Sequence, residues 1–157
     1  MTDVDAAGRH GGRIAGIDFG TVRVGVAITD PARTLASPYQ SFVRSGPAGD
    51  ARWFRGFAED EDIRLFVVGL PVHMSGQESA KSREARQFGQ WLHEVTGREV
   101  VFFDERYTTV EAERVLQQAH LTSKRRKKRR DMLAAQVMLA AYLESSSSRV
   151  AEPRALD

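Results

Sequence analysis

The sequence predicts a mixed α/β fold, a single sheet covered by helices on both faces. Three observations carry this expectation. Short apolar runs alternate along the chain with segments of helical periodicity. Two of the runs, Leu65–Val68 and Val100–Phe103, are apolar at every position, as in strands buried on both faces. The length of 157 residues suits one domain and leaves little for a second.

Met1–Gly12 is polar and small and reads as a disordered leader without the apolar segment of a signal peptide. The domain is expected over 13–144. Arg13–Ile17 is a short apolar strand. Val22, Val24, Val26 and Ile28 alternate with Arg23, Gly25, Ala27 and Thr29, a period-two strand whose second face carries mostly small residues. Gly20-Thr21 joins the two closely enough for a hairpin. A third strand near Leu35–Phe42 contains Pro38 and belongs at an edge. Trp53, Phe54, Phe57 and Ala58 give Ala51–Glu59 the apolar face of a helix. Ser79–Val95 is helical through Ala85, Phe88, Leu92 and Val95. After Val100–Phe103, Thr108–Glu111 fits a capping box opening a helix with Ala112, Val115, Leu116 and Ala119 on its stripe. The last helix, Asp131–Glu144, is apolar on nearly every side and is expected against the sheet. The serine run and Pro153 make 145–157 a flexible tail.

Composition narrows the function. With 41% hydrophobic and 28% charged residues, the chain is an ordinary globular one. It has no cysteine, which excludes disulfides, thiolate metal sites and a cysteine nucleophile. No apolar run approaches the ~20 residues of a membrane helix, so no membrane partner and a cytoplasmic location are expected. The net charge is +2, but Lys124, Arg125, Arg126, Lys127, Lys128, Arg129 and Arg130 are consecutive. Without them, 16 positive charges face 21 negative ones. The chain is therefore a mildly acidic body with one concentrated candidate for polyanion binding. The plainer reading of the run is a solvated loop.

Acids stand where such sheets place their chemistry, at the ends of central elements. Asp18 follows the first strand, Asp104-Glu105 follows Val100–Phe103, and Asp131 opens the final apolar helix. Carboxylate oxygens suit hard cations such as Mg2+ or Mn2+, and two such ions roughly 3.5–4 Å apart activate water and stabilise a leaving oxygen. Adjacent strand residues point to opposite faces, so Asp104 and Glu105 are not expected in one site. Each acid also has a structural alternative. Asp131 is a candidate N-cap, Asp18 a cap for the turn at Gly20, and either Asp104 or Glu105 a partner for Arg106.

Four segments, in order, resemble the motifs of the YqgF/RuvX family. They are Ile17-Asp18-Phe19-Gly20-Thr21-Val22-Arg23-Val24-Gly25-Val26-Ala27, then Gly69-Leu70-Pro71 with Gly76, then Asp104-Glu105-Arg106-Tyr107-Thr108-Thr109, and finally the basic run ending in Asp131 with Ala134-Ala135. The resemblance covers roughly Arg13–Leu143. It implies a ribonuclease H-like fold, with a five-stranded mixed sheet, strand two antiparallel to the rest, and helices on both faces. It also implies a metal-dependent endonuclease. Members are provisionally described as pre-16S rRNA nucleases and as relatives of the Holliday junction resolvase RuvC. Carried over, the acidic triad falls on Asp18, Glu105 and Asp131, as catalytic residues and ligands of a two-metal Mg2+ or Mn2+ site. Two features depart from the family pattern, Val72-His73-Met74-Ser75 and the length of the basic run.

The expected partner is structured RNA such as pre-16S rRNA, or branched DNA, contacted by Arg23 and by Lys124, Arg125, Arg126, Lys127 and Lys128. For Arg23, an ordinary exposed strand position is the alternative. His10, His73, His93 and His120 lack metal-ligand spacing, and His73 is a candidate substrate contact. Monomer and homodimer are both compatible with the sequence. Two other classes compete. Asp18-Phe19-Gly20-Thr21 also resembles the phosphate-binding hairpin of sugar kinase, actin and Hsp70 ATPases, which need two such domains. The other class is an RNA-binding protein that does not cut.

Overall fold

The computed structural model describes residues 11–108 and 123–148, with side-chain surroundings for 11–108 and 128–145. Five strands form one sheet: β1 (Arg13–Asp18), β2 (Arg23–Thr29), β3 (Ala36–Val43), β4 (Ile63–Leu70) and β5 (Glu99–Asp104). Their order is β3-β2-β1-β4-β5. β2 runs antiparallel to β1 and β3, while β4 is parallel to both β1 and β5. The expected five-stranded mixed sheet with an antiparallel second strand is present. Pro38 lies on edge strand β3, opposite Ala27 and beside a register shift, where its missing N–H breaks no central ladder.

α1 (Pro47–Asp60) and α2 (Ala80–Thr96) cover one face. Both helices run slightly longer than their apolar stripes, because caps set the ends. Pro47 starts α1 after Gly46. Ser79 and Ser82 form a reciprocal capping box on α2, and left-handed Gly97 stops it. Phe42, Phe54, Phe57, Phe66 and Phe88 are buried between these helices and the sheet. Each such side chain stabilises the fold by roughly 1.5–3 kcal/mol.

α3 (Ser123–Ser148) covers the other face through Ala135, Met138, Leu139 and Tyr142. It also corrects the sequence reading. The final helix starts at Ser123, so Asp131 lies two turns inside it and neither opens nor caps it. Lysine and arginine are good helix formers and nothing in the run breaks a helix, so the basic segment is helix rather than loop. Mutual repulsion at spacings of three and four costs only a few tenths of a kcal/mol per pair. The helix also extends through Ser148, four residues into the expected tail.

β2 begins at Arg23 rather than Val22, which is 63% exposed in the turn. The helix expected from Thr108–Glu111 onward, most of the leader and the rest of the tail lie outside the described residues. Among the described residues, no helix is long and apolar enough to cross a membrane.

Candidate active site

The period-two rule sorts the acids by face. Ile14 and Gly16 of β1 meet α3, and Asp18 shares their parity. Val67 and Phe103 meet α3 as well, so Gly69 shares that side, and Glu105, just past the end of β5, lays its carboxylate against Gly69. Asp18, Gly25 and Ser41 are register partners across β1, β2 and β3, so they form one row on the α3 face.

Two glycines open this face to the acids by leaving space. A Cβ on Gly25 would stand 2.1 Å from the carbonyl oxygen of Asp131, so its absence lets α3 sit on β2 at that residue. A Cβ on Gly69 would stand 2.6 Å from Glu105 Oε2, so the Glu105 carboxylate occupies the room a side chain would take. The small second face of β2 was the legible trace of the first device. Gly69 stood out in the sequence only as part of the Gly69-Leu70-Pro71 segment, with no sign of its contact with Glu105.

Asp131 is held in place. Arg23 Nε donates to its Oδ2 at 2.9 Å, and Ser41 Oγ donates to the same oxygen at 3.1 Å. Arg23 was expected either to touch substrate or to support a ligand, and its guanidinium stands on the proposed ligand Asp131. Ser41 was missed, because its role depends on the pairing of β3 with β2.

The electrostatics tie the three acids together. Burial pushes the Asp18 carboxyl up to about 8, and the negative charges of Glu105 and Asp131 push in the same direction. Negative charge is thus crowded at one end of β1. Among the described residues, no three of the His, Asp and Glu side chains already stand at metal-holding spacing. The acids feel one another without forming a closed cage.

A cleft of 390 Å³ opens over Asp18 and Glu105, with Gly69, Pro71 and the Phe19–Thr21 turn in its walls. Lys81 and Glu84 of α2 also line it. Lys81 is an unanticipated cation in the first turn of α2, and that helix brings its N-terminal dipole end to the same rim. The cue was its position two residues after the Ser79 cap. Asp131 does not line this cleft and approaches Asp18 from the α3 side.

Asp104 is not part of the cleft. Its buried carboxylate accepts from the Arg106 backbone N–H at 2.9 Å and forms a close ion pair with the Arg106 guanidinium. Arg106 Nη1 also donates to Met74 O at 3.2 Å, tying the end of β5 to the loop after β4. Of the two adjacent acids, Glu105 is the one in the cleft. His73 is exposed in that loop and does not line it. In the basic run, Lys128, Arg129 and Arg130 are exposed, while the side chains of Lys124–Lys127 lie outside the described set.

A family model described as RuvX, Holliday junction resolvase, matches residues 12–145. The chain belongs to the RuvX family. A RuvX relative from Rhodopirellula baltica, provisionally named a pre-16S rRNA nuclease, is 49% identical over 138 residues, covering 88% of this chain and 80% of the relative. A relative from Koribacter versatilis with the same provisional name is 39% identical over 142 residues, covering 90% and 93%. Among solved structures, Thermus thermophilus RuvC in complex with Holliday junction substrate superposes with a TM-score of 0.57 at 15% identity, covering 90% of this chain and 98% of that one. The fowlpox virus resolvase with its Holliday junction DNA gives 0.52 at 12%, covering 85% and 97%. These structures share the fold of the RuvX chain, the ribonuclease H-like one.

Proposed function

We propose that this RuvX chain is a metal-dependent endonuclease that hydrolyses phosphodiester bonds in structured nucleic acid, with the 5' end of precursor 16S rRNA in the cytoplasm as its physiological target. The observation that carries the reading is the crowding of Asp18, Glu105 and Asp131 at the end of β1. Their donor set is purely carboxylate, which suits Mg2+ or Mn2+, and a cation there would relieve the repulsion that raises Asp18. Asp18, Glu105 and Asp131 would hold the ions. Bound there, a pair of such ions would supply Lewis-acid activation of water and stabilisation of the leaving oxygen.

The remaining roles belong to the chain itself. Arg23 and Ser41 fix Asp131 Oδ2 and so orient that carboxylate. Gly69 leaves Glu105 room to reach the cleft. Lys81 and the start of α2 give the entering phosphate a positive wall. The basic segment of α3 leads directly to Asp131, so its cations would grip the backbone flanking the cut.

Cleavage of branched DNA is the second reading, supported by the family's description as Holliday junction resolvases. The test compares a precursor 16S fragment with a four-way DNA junction, with and without Mg2+, using Asp18→Asn as the inactive control. Magnesium-dependent cutting of the RNA that the control lacks supports the proposal. Cutting of the junction alone replaces RNA by DNA, and binding without any cutting removes the enzyme reading.

A further inference from the structure

A second groove of 340 Å³ adjoins the cleft and shares Phe19, Thr21 and Glu84 with it. Its walls include Phe19, Phe88 and Trp91. Across them lies Arg44, whose guanidinium carbon is 5.4 Å from the Phe19 ring centre and 5.5 Å from that of Phe88. Arg44 Nε donates to buried Asp50 at 3.2 Å, which fixes the guanidinium plane. No described residue accepts from its two terminal nitrogens. Glu84 and Gln87 stand at the rim and offer an acceptor and an amide.

This chemistry disfavours an anion. Arg44 is the one cation among the lining residues, its charge is already matched by Asp50, and Glu84 adds a negative charge. What suits the groove is a flat, neutral ring with polar edges. Unstacked bases are recognised in this way, by stacking on aromatic rings and guanidinium planes with hydrogen bonds at their edges. The place fits too. Phe19 follows Asp18 directly in the chain, so a strand whose phosphate lies over Asp18 brings a base of that same stretch to Phe19.

We propose that this groove is a subsite for an unpaired nucleobase of the strand being cut, held against Phe19, Trp91 and the Arg44 plane. The inference rests on the nuclease reading and adds a substrate requirement to it: the strand must be unpaired beside the scissile bond. A fully paired helix would leave the groove empty.

The chain has two tryptophans, and Trp53 is stacked on Phe42 and Phe57 within the core. Trp53→Phe therefore leaves Trp91 as the only indole. In EDTA, this variant is titrated with single-stranded pentamers of RNA and of DNA, and with the same pentamers carrying one central abasic residue. Intact pentamers should quench Trp91, and the abasic ones should bind roughly 5- to 150-fold more weakly, the range for loss of one stacked base. Both sugars should give this loss, since the base is common to them. Arg44→Lys keeps a cation for Asp50 but loses the plane, so it should weaken the intact pentamers and leave the abasic ones unchanged. Equal affinity for intact and abasic strands, or no quenching of Trp91, overturns the subsite. Cleavage with Mg2+ is scored separately. Cutting without base dependence rejects the subsite alone, and base dependence without cutting rejects the nuclease reading alone.

Discussion

Asp18→Asn should make the metal-free protein more stable while it abolishes cleavage. The wild-type carboxyl is raised from 3.8 to about 8 by burial and by the charges of Glu105 and Asp131. A carboxyl raised in the folded state stabilises the fold fully below its unfolded value, and that contribution is lost as pH climbs through the folded one. Stability without metal should therefore fall between about pH 4 and pH 8. At ~1.4 kcal/mol per unit, the full shift corresponds to roughly 6 kcal/mol. Asp18 keeps some contact with solvent, and part of its shift comes from the charges of Glu105 and Asp131, so screening reduces this to roughly 2–4 kcal/mol. For a chain of this length, the difference in Tm is on the order of 10 °C.

The assay is thermal unfolding by circular dichroism from pH 5 to 9 in EDTA, for both proteins. The advantage of Asp18→Asn should be small at pH 5, grow steadily and level off near pH 8. Adding Mg2+ should raise the wild-type Tm and release protons near neutral pH, because the ion needs the carboxylate charged. The variant should gain little. Parallel pH profiles for the two proteins would refute the crowding of charge at Asp18, and undiminished cleavage by the variant would end the metal proposal.

Three further outcomes follow from the same geometry. Gly25→Ala presses a Cβ against the backbone of α3 and should cost about 1–3 kcal/mol in unfolding titrations, whereas a Cβ from Gly69→Ala meets the Glu105 side chain first and should lower cleavage with a smaller loss of stability. Glu105→Gln should reduce cleavage by orders of magnitude with little change in Tm, while Asp104→Asn should lower Tm and leave Mg2+-dependent cutting in place, because Asp104 serves the Arg106 contact. Replacing Lys124, Arg125, Lys127 and Lys128 by alanine should weaken binding of RNA and DNA alike and flatten the slope of log affinity against log salt by about 0.7–0.9 per lost phosphate contact; a folded variant with the parental slope would make the run a solvated face of α3.

The fold was legible because its signals are local. Leu65–Val68 and Val100–Phe103 declare buried strands by composition, Pro38 declares an edge, and the apolar spacing from Trp53 to Ala58 declares a helix face. Boundaries were less so. Capping by Gly46 and by Ser79 with Ser82 extends or fixes helix ends beyond their apolar stripes. The start of α3 was misplaced for a physical reason: a run of cations suggests solvent, yet lysine and arginine favour helix once the apolar half that follows is anchored on the sheet. That anchoring is a tertiary effect, and no window of the sequence contains it.

The site divides along the same line. Alternation suggested that Asp104 and Glu105 part, but β5 ends at Asp104, and which acid faced the chemistry depended on the turn that lays Glu105 against Gly69 while Asp104 holds Arg106. Ser41, Gly25 and Asp18 are far apart in the chain and become one row only when β3, β2 and β1 pair in register. At Gly25 one missing side chain does two things. It admits the α3 backbone at Asp131, and it stands in the row between Ser41, which bonds that carboxylate, and Asp18, which feels its charge. A larger residue at that point would lift Asp131 away from both neighbours at once. The small second face of β2 is therefore part of the site, although no atom of it carries charge.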